Sequence, residues 1–121
     1  MNTSRKLIDW EYLREMVADD DWIVYNLCKS FQDQAPTSLK AIRDAMAQAN
    51  PHQLEQAAHH FKGSIALFGA RDAIASLQHL EDAGRSSNLS ELENSWKTLE
   101  ESVESMLTEI RDIQRNRVAS A

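Results

Sequence analysis

The sequence predicts an all-α protein: an antiparallel four-helix bundle with a short additional helix at the N-terminal end. Three observations lead there. Apolar residues recur every three or four positions through most of the 121 residues. Only three glycines and two prolines interrupt the chain, which favours long helices over many short strands with tight turns. Capping residues also stand just ahead of the periodic stretches, most clearly at Asn50-Pro51. Amphipathic helices joined by short loops bury their stripes most simply against one another, as a bundle.

Taken in order, Asp9 can cap a short helix over Trp10 to Val17, with Glu11 in its positive first turn. Ala18-Asp19-Asp20-Asp21 ends it, and one of these aspartates caps the next helix, Asp21 to Ala49. There Val24, Leu27, Cys28, Phe31, Ala35, Leu39, Ile42 and Met46 keep helical spacing. Pro36 interrupts the hydrogen bonding midway, so one bent helix is expected. The third helix runs from Pro51 to Phe68, with Gly69 placed for a C-terminal cap. A fourth covers Arg71 to Arg85, with Ile74, Leu77 and Leu80 inward and Gly84 near its end. Asn88 or Ser90 caps the last, where Leu92, Trp96, Leu99, Val103, Met106, Ile110 and Ile113 form one apolar stripe. The termini, about residues 1–6 and 116–121, are expected to fray.

Composition narrows the function. A net charge of −6 argues against non-specific nucleic-acid binding, which needs a basic face. A single cysteine excludes an internal disulfide and suits a reducing compartment. No apolar run approaches the roughly 18 residues of a membrane helix, and the opening residues are not followed by an apolar leader core. A soluble, cytoplasmic, monomeric protein is the expectation.

The stretch from Ala58 to Ala70 carries the chemistry. At ~100° per residue, with Phe61 at zero, Leu54, Ala57, Ala58, Ile65 and Phe68 lie within about 60°. His59 and Gly63 lie roughly 160° away in opposite senses, side by side on the outer face, with Lys62 one turn from His59. Glycine inside a helix costs about 1 kcal/mol relative to alanine. An empty position beside an exposed imidazole leaves room for a bulky group to approach.

Ala58-His59-x-x-Lys62-Gly63-Ser64, followed by Phe68-Gly69-Ala70 and Leu77-x-x-Leu80-Glu81, resembles the signature of the histidine-containing phosphotransfer (Hpt) domain of multistep two-component phosphorelays. The resemblance extends weakly over most of the chain and is concentrated in residues 58–81; it implies one Hpt-like domain over residues 1–121. The family's phosphoacceptor matches His59, because only His59 has Lys62 and Gly63 at +3 and +4. His60 has Gly63 and Ser64 at those offsets. The resemblance implies a signalling intermediate that takes a phosphoryl group from a receiver-domain aspartate and passes it to another receiver. In that role Lys62 offsets phosphoryl charge and Gly63 gives steric clearance. Glu81 matches a position that hydrogen-bonds and orients the imidazole; a solvated helix carboxylate is its plain reading. Ser64 either reaches a phosphate oxygen or back-bonds within its helix. His52, Glu55, Gln56, Ser64 and Ala66 form the expected docking face. The implied partners are response-regulator receiver domains and a hybrid sensor histidine kinase. The chain needs no cofactor or metal of its own, since Mg²⁺ belongs to the receiver. Without a phosphate-binding loop or nucleotide domain, it is expected to carry phosphate and not to act as an ATP-dependent kinase.

Other readings are weaker. Bundle di-metal centres use paired Glu-x-x-His motifs facing inward; here Gln56-x-x-His59 faces outward and no second copy exists, and Ser76 stands three residues before His79. The dimerisation and phosphoacceptor part of a histidine kinase usually has an acidic residue after its histidine, whereas His60 follows His59. A purely structural bundle explains the periodicity but not the grouping of His59, Lys62 and Gly63. Trp10, Trp22 and Trp96 read as core or boundary packing, and Cys28 as a buried thiol.

Overall fold

The computed structural model describes residues 7–120, with side chains through Asn116. Residues 1–6 and 121, parts of the ends expected to fray, lie outside the described residues. Five helices and no strands appear among the described residues. Asp9 accepts the Tyr12 N–H to start α1 (Trp10–Met16), and Asp20 accepts from Trp22 and Ile23 to start α2 (Asp21–Ala47). Asn50 accepts from Gln53 at the head of α3 (Pro51–Ala66), with Pro51 at the first position, where its missing N–H has no partner to lose. α4 spans Arg71–Ser86 and stops at Ser87, in the left-handed region at φ 57°. α5 spans Glu93–Ser120.

α2 runs through Pro36 as one α-helix, with the exposed proline on its solvent side and Ala35 wholly buried beside it. Two local expectations change. Asn88 and Ser90 do not cap α5: the Asn88 carboxamide oxygen accepts from the Ser90 N–H and hydroxyl, closing a turn, and the helix begins only at Glu93. Trp22 is not packing at all. It is 72% exposed, because it sits two residues, about 200° of rotation, from the buried Val24 that leads the α2 stripe.

Around the bundle, α2 packs on α3, α3 on α4, α4 on α5, and α5 returns to α2. The core is continuous, with Leu54, Ala58, Phe61 and Ile65 of α3 and Leu77 and Leu80 of α4 almost fully enclosed. Phe31 of α2 stacks on Phe61 at 6.2 Å between centroids and tilts against Phe68 at 5.2 Å. Each such buried phenylalanine contributes about 1.5–3 kcal/mol by leaving water.

Two clasps set the frame. Gly69, at φ +60°, turns the chain from α3 to α4, and the Asp9 N–H donates to the Phe68 carbonyl there at 2.8 Å. A side chain on Gly69 would meet the strained φ and would place its Cβ 2.8 Å from the Asp9 Cβ. At the other end of α5's register, Glu109 accepts from the backbone N–H of Leu7 at 2.6 Å and of Ile8 at 3.3 Å, and from the Trp10 indole at 3.3 Å.

Gly84 proves to be an interior residue of α4 and the point where α3 and α4 touch. A Cβ there would lie 2.6 Å from both the Glu55 nitrogen and the Pro51 carbonyl oxygen. The two backbones therefore run in direct contact one turn away from the pair described next.

Candidate functional site

α3 and α4 run antiparallel in a register that brings Glu55 to Arg85, His59 to Glu81 and Lys62 to Gln78. His59 projects from the outer face of α3 with its side chain 70% exposed, whereas Glu81 opposite is only 5% exposed. Among the described residues Glu81 is the one charged side chain that is buried. Burial of an ionised carboxylate is tolerated only with partners, and Glu81 has three. Lys62 Nζ lies 2.7 Å from Oε1, while His59 Nδ1 and Arg85 Nη2 each lie 3.0 Å from Oε2.

The Lys62 ammonium holds the Glu81 carboxyl below the usual carboxylate range; burial pushes the other way, and the contact with His59 adds to the lowering. An ionised carboxylate can only accept, so the hydrogen of the His59–Glu81 contact belongs to Nδ1. The ring is thereby turned with Nε2 outward, toward solvent.

Lys62 is placed differently from a side chain reaching past the imidazole into solvent. Its ammonium is held between Glu81 and the Gln78 carboxamide oxygen at 2.7 Å, and the side chain is mostly covered. Gly63, one turn from His59, has nothing within 4 Å of where a Cβ would stand. It opens on a groove of about 260 Å³ between α2 and α3, lined by Leu27, Ser30, Gln34, Ser64 and Leu67 among others. Ser64 takes the second of its two readings: its hydroxyl points back to the His60 carbonyl at 3.5 Å, the limit of a hydrogen bond. Glu55 is half-buried and bonded to Arg85 at 3.2 Å. His52 and Gln56 are exposed on the N-terminal half of α3, and Ala66 is exposed at its last position.

His59, Glu55, Lys62 and Glu81 thus form one cluster, Gly63 and Ser64 border the adjoining groove, and His52 and Ala66 mark the two ends of the same helix. His79 stands apart, exposed on α4 and bonded to Ser95 of α5. No group of three or more His, Cys, Asp or Glu converges as a metal site among the described residues. Sequence reasoning missed Gln78, Asp82 and Arg85. The available signal was their spacing: three before, one after and four after Glu81, two of them at offsets that share a helix face.

A family model of the Hpt domain matches residues 26–113, most of the chain. The chain belongs to the Hpt domain family. No curated protein and no solved structure matches it. Hpt domains are helical bundles that carry phosphoryl groups in phosphorelays and interact with receiver and kinase-related partners. The matched span opens inside α2, so α1 and the exposed Trp22 lie outside it, while the whole α3–α4 pair lies within. Among the described residues of this Hpt domain, no helix is long and apolar enough to cross a membrane.

Proposed function

We propose that this Hpt domain is a cytoplasmic phosphorelay intermediate in which His59 accepts a phosphoryl group from a receiver-domain aspartate and passes it to a second receiver. One observation carries the reading. The exposed imidazole donates Nδ1–H to a buried, ionised Glu81, which leaves Nε2 as an oriented nucleophile on an open face. In the transfer, the Nε2 lone pair attacks phosphorus in line. The N–P bond forms as the P–O bond to the donor aspartate breaks, and the electron pair leaves with that carboxylate. Positive charge gained by the ring falls on Nδ1–H, against Glu81. The return transfer to a second aspartate is the same displacement in reverse.

Gly63 supplies clearance: it removes the side chain that would stand nearest the approaching receiver loop. Lys62 supports the phosphoryl group mainly through Glu81 and secondarily as a nearby positive charge. The docking face comprises His52, Glu55, Gln56, Ser64 and Ala66 around that centre. A hybrid sensor histidine kinase is the proposed source of phosphoryl groups. The protein acts without ATP and without a metal of its own, the Mg²⁺ of aspartyl-phosphate chemistry residing in the receiver.

The test is incubation with a receiver domain phosphorylated beforehand on its aspartate, with Mg²⁺ and no ATP. Wild type is expected to take label that is acid-labile and stable in base, and His59→Gln to take none while keeping its helical circular dichroism. Labelled His59→Gln would move the acceptor to another residue and end this reading.

A further inference from the structure

Behind the His59–Glu81 pair lies a closed circuit that the direct contacts do not reveal. From Glu81 Oε1 the path goes to Lys62 Nζ at 2.7 Å, and from there to the Gln78 carboxamide oxygen at 2.7 Å. The Gln78 NH₂ group donates to Asp82 Oδ1 at 2.9 Å, and Arg85 Nη1 donates to the same oxygen at 3.2 Å. Arg85 Nη2 then returns to Glu81 Oε2 at 3.0 Å, the oxygen that also receives His59. A fork of the guanidinium reaches Glu55 on α3 at 3.2 Å.

We propose that Gln78, Asp82 and Arg85 are positioning residues that, by closing this ring, lock the Glu81 carboxylate and so hold His59 in its Nδ1–H, Nε2-outward form. The proposal rests on the carrier function above. A carboxylate gripped at one oxygen can swing about its terminal torsion. Gripped at one oxygen by the Lys62 ammonium in an ion pair and at the other by an Arg85 hydrogen bond, with the two cations linked through Gln78 and Asp82, it turns only by losing both contacts at once. Two cations and two carboxylates close the ring. Lys62 comes from the helix that bears His59, so the ring also ties the imidazole's own helix to its acceptor.

Asp82 is the link to cut. Its side chain is 54% exposed, and its bonds go to Gln78 and Arg85, not to His59. The experiment compares wild type, Asp82→Leu and Asp82→Asn, reading the His59 tautomer by ¹⁵N NMR of the neutral imidazole and the rate of label uptake from a phosphorylated receiver. Asp82→Leu is expected to raise the share of the Nε2–H form and to slow uptake, each by about threefold, the size an exposed charged contact supports. Asp82→Asn keeps the acceptor oxygen and is expected to restore both. In a Glu81→Ala background Asp82→Leu is expected to have no further effect on the tautomer. A wild-type tautomer ratio in Asp82→Leu overturns the proposal, and slowed uptake with that ratio unchanged reassigns Asp82 to the docking face. If the tautomer shifts as expected but wild type takes no label, the ring stands and the carrier function falls.

Discussion

Two glycines in this protein call for the same substitution with opposite results. At Gly84, alanine would put its Cβ 2.6 Å from the Glu55 nitrogen, 2.6 Å from the Pro51 oxygen and 2.9 Å from the Glu55 Cα. All three are backbone atoms of α3, so no side chain can turn aside to make room. Ordinary contact requires the helices to part by about 1 Å, along the edge of the largest helix–helix interface. Overpacking of this kind costs about 1–3 kcal/mol, with rigid backbone partners toward the upper end. The better helix propensity of alanine returns at most about 1 kcal/mol. The net expectation is a loss of about 1–2 kcal/mol, or a midpoint lower by about 4–8 °C for a domain of this size. At Gly63 nothing lies within 4 Å, so only the propensity gain remains and the midpoint should rise by about 2–4 °C. Thermal and urea unfolding followed by helical circular dichroism measures both. A Gly84→Ala protein as stable as Gly63→Ala would refute the claim that the α3–α4 spacing is set at that residue. The same variant should lengthen the His59–Glu81 contact one turn away, visible as a changed His59 imidazole signal in a folded protein.

Gly63→Glu should fold as well as wild type yet accept phosphoryl groups at least about tenfold more slowly, since bulk and negative charge both oppose an approaching phosphoryl group; equal rates would remove clearance as the reason for this glycine. Glu81 titrates lower in the folded protein than in the unfolded chain, so its stabilising effect is complete above its unfolded value, near about pH 4.3, and is lost as pH falls through the folded value. Urea unfolding should accordingly show Glu81→Gln less stable than wild type at pH 6, with the gap closing on acidification; a gap that widens would reverse the sign. Burial raises the Cys28 thiol to about 11, so its alkylation should be slow in the native protein and fast in denaturant.

The helices were legible because their signals are local. Asp9, Asp20 and Asn50 start helices as capping residues should, and the Leu54–Phe61–Ile65 spacing alone places His59 outward. What failed depends on neighbours distant in sequence. Trp22 reads as packing from its size alone, but its angular offset from Val24 leaves it in water. Gly84 reads correctly as standing near the end of its helix, but its packing role is hidden because Glu55, whose backbone forbids a side chain there, is 29 positions away. Gln78, Asp82 and Arg85 look like an ordinary solvated face. Only the α3–α4 register reveals Lys62 and Glu81 opposite them, and only burial makes Glu81 need them. Within the candidate site, the His59, Lys62 and Gly63 grouping was visible in the sequence, while the position of Lys62 between two acceptors was not.

The Glu109 clasp bears on the order in which this chain can fold. His59 and Glu81 are 22 positions apart, and the hairpin that joins them can search for its register over a short loop. Glu109 meets Leu7 across a separation of 102. Loop-closure entropy disfavours the distant contact until the intervening helices have drawn together. During synthesis the Leu7 and Ile8 amides find their acceptor only once Glu109 has emerged, whereas the imidazole and its carboxylate can pair as soon as α4 is complete. The His59–Glu81 pair thus belongs to the kinetically simplest part of the molecule, and the fastening of the N-terminal residues to the last helix belongs to the most demanding.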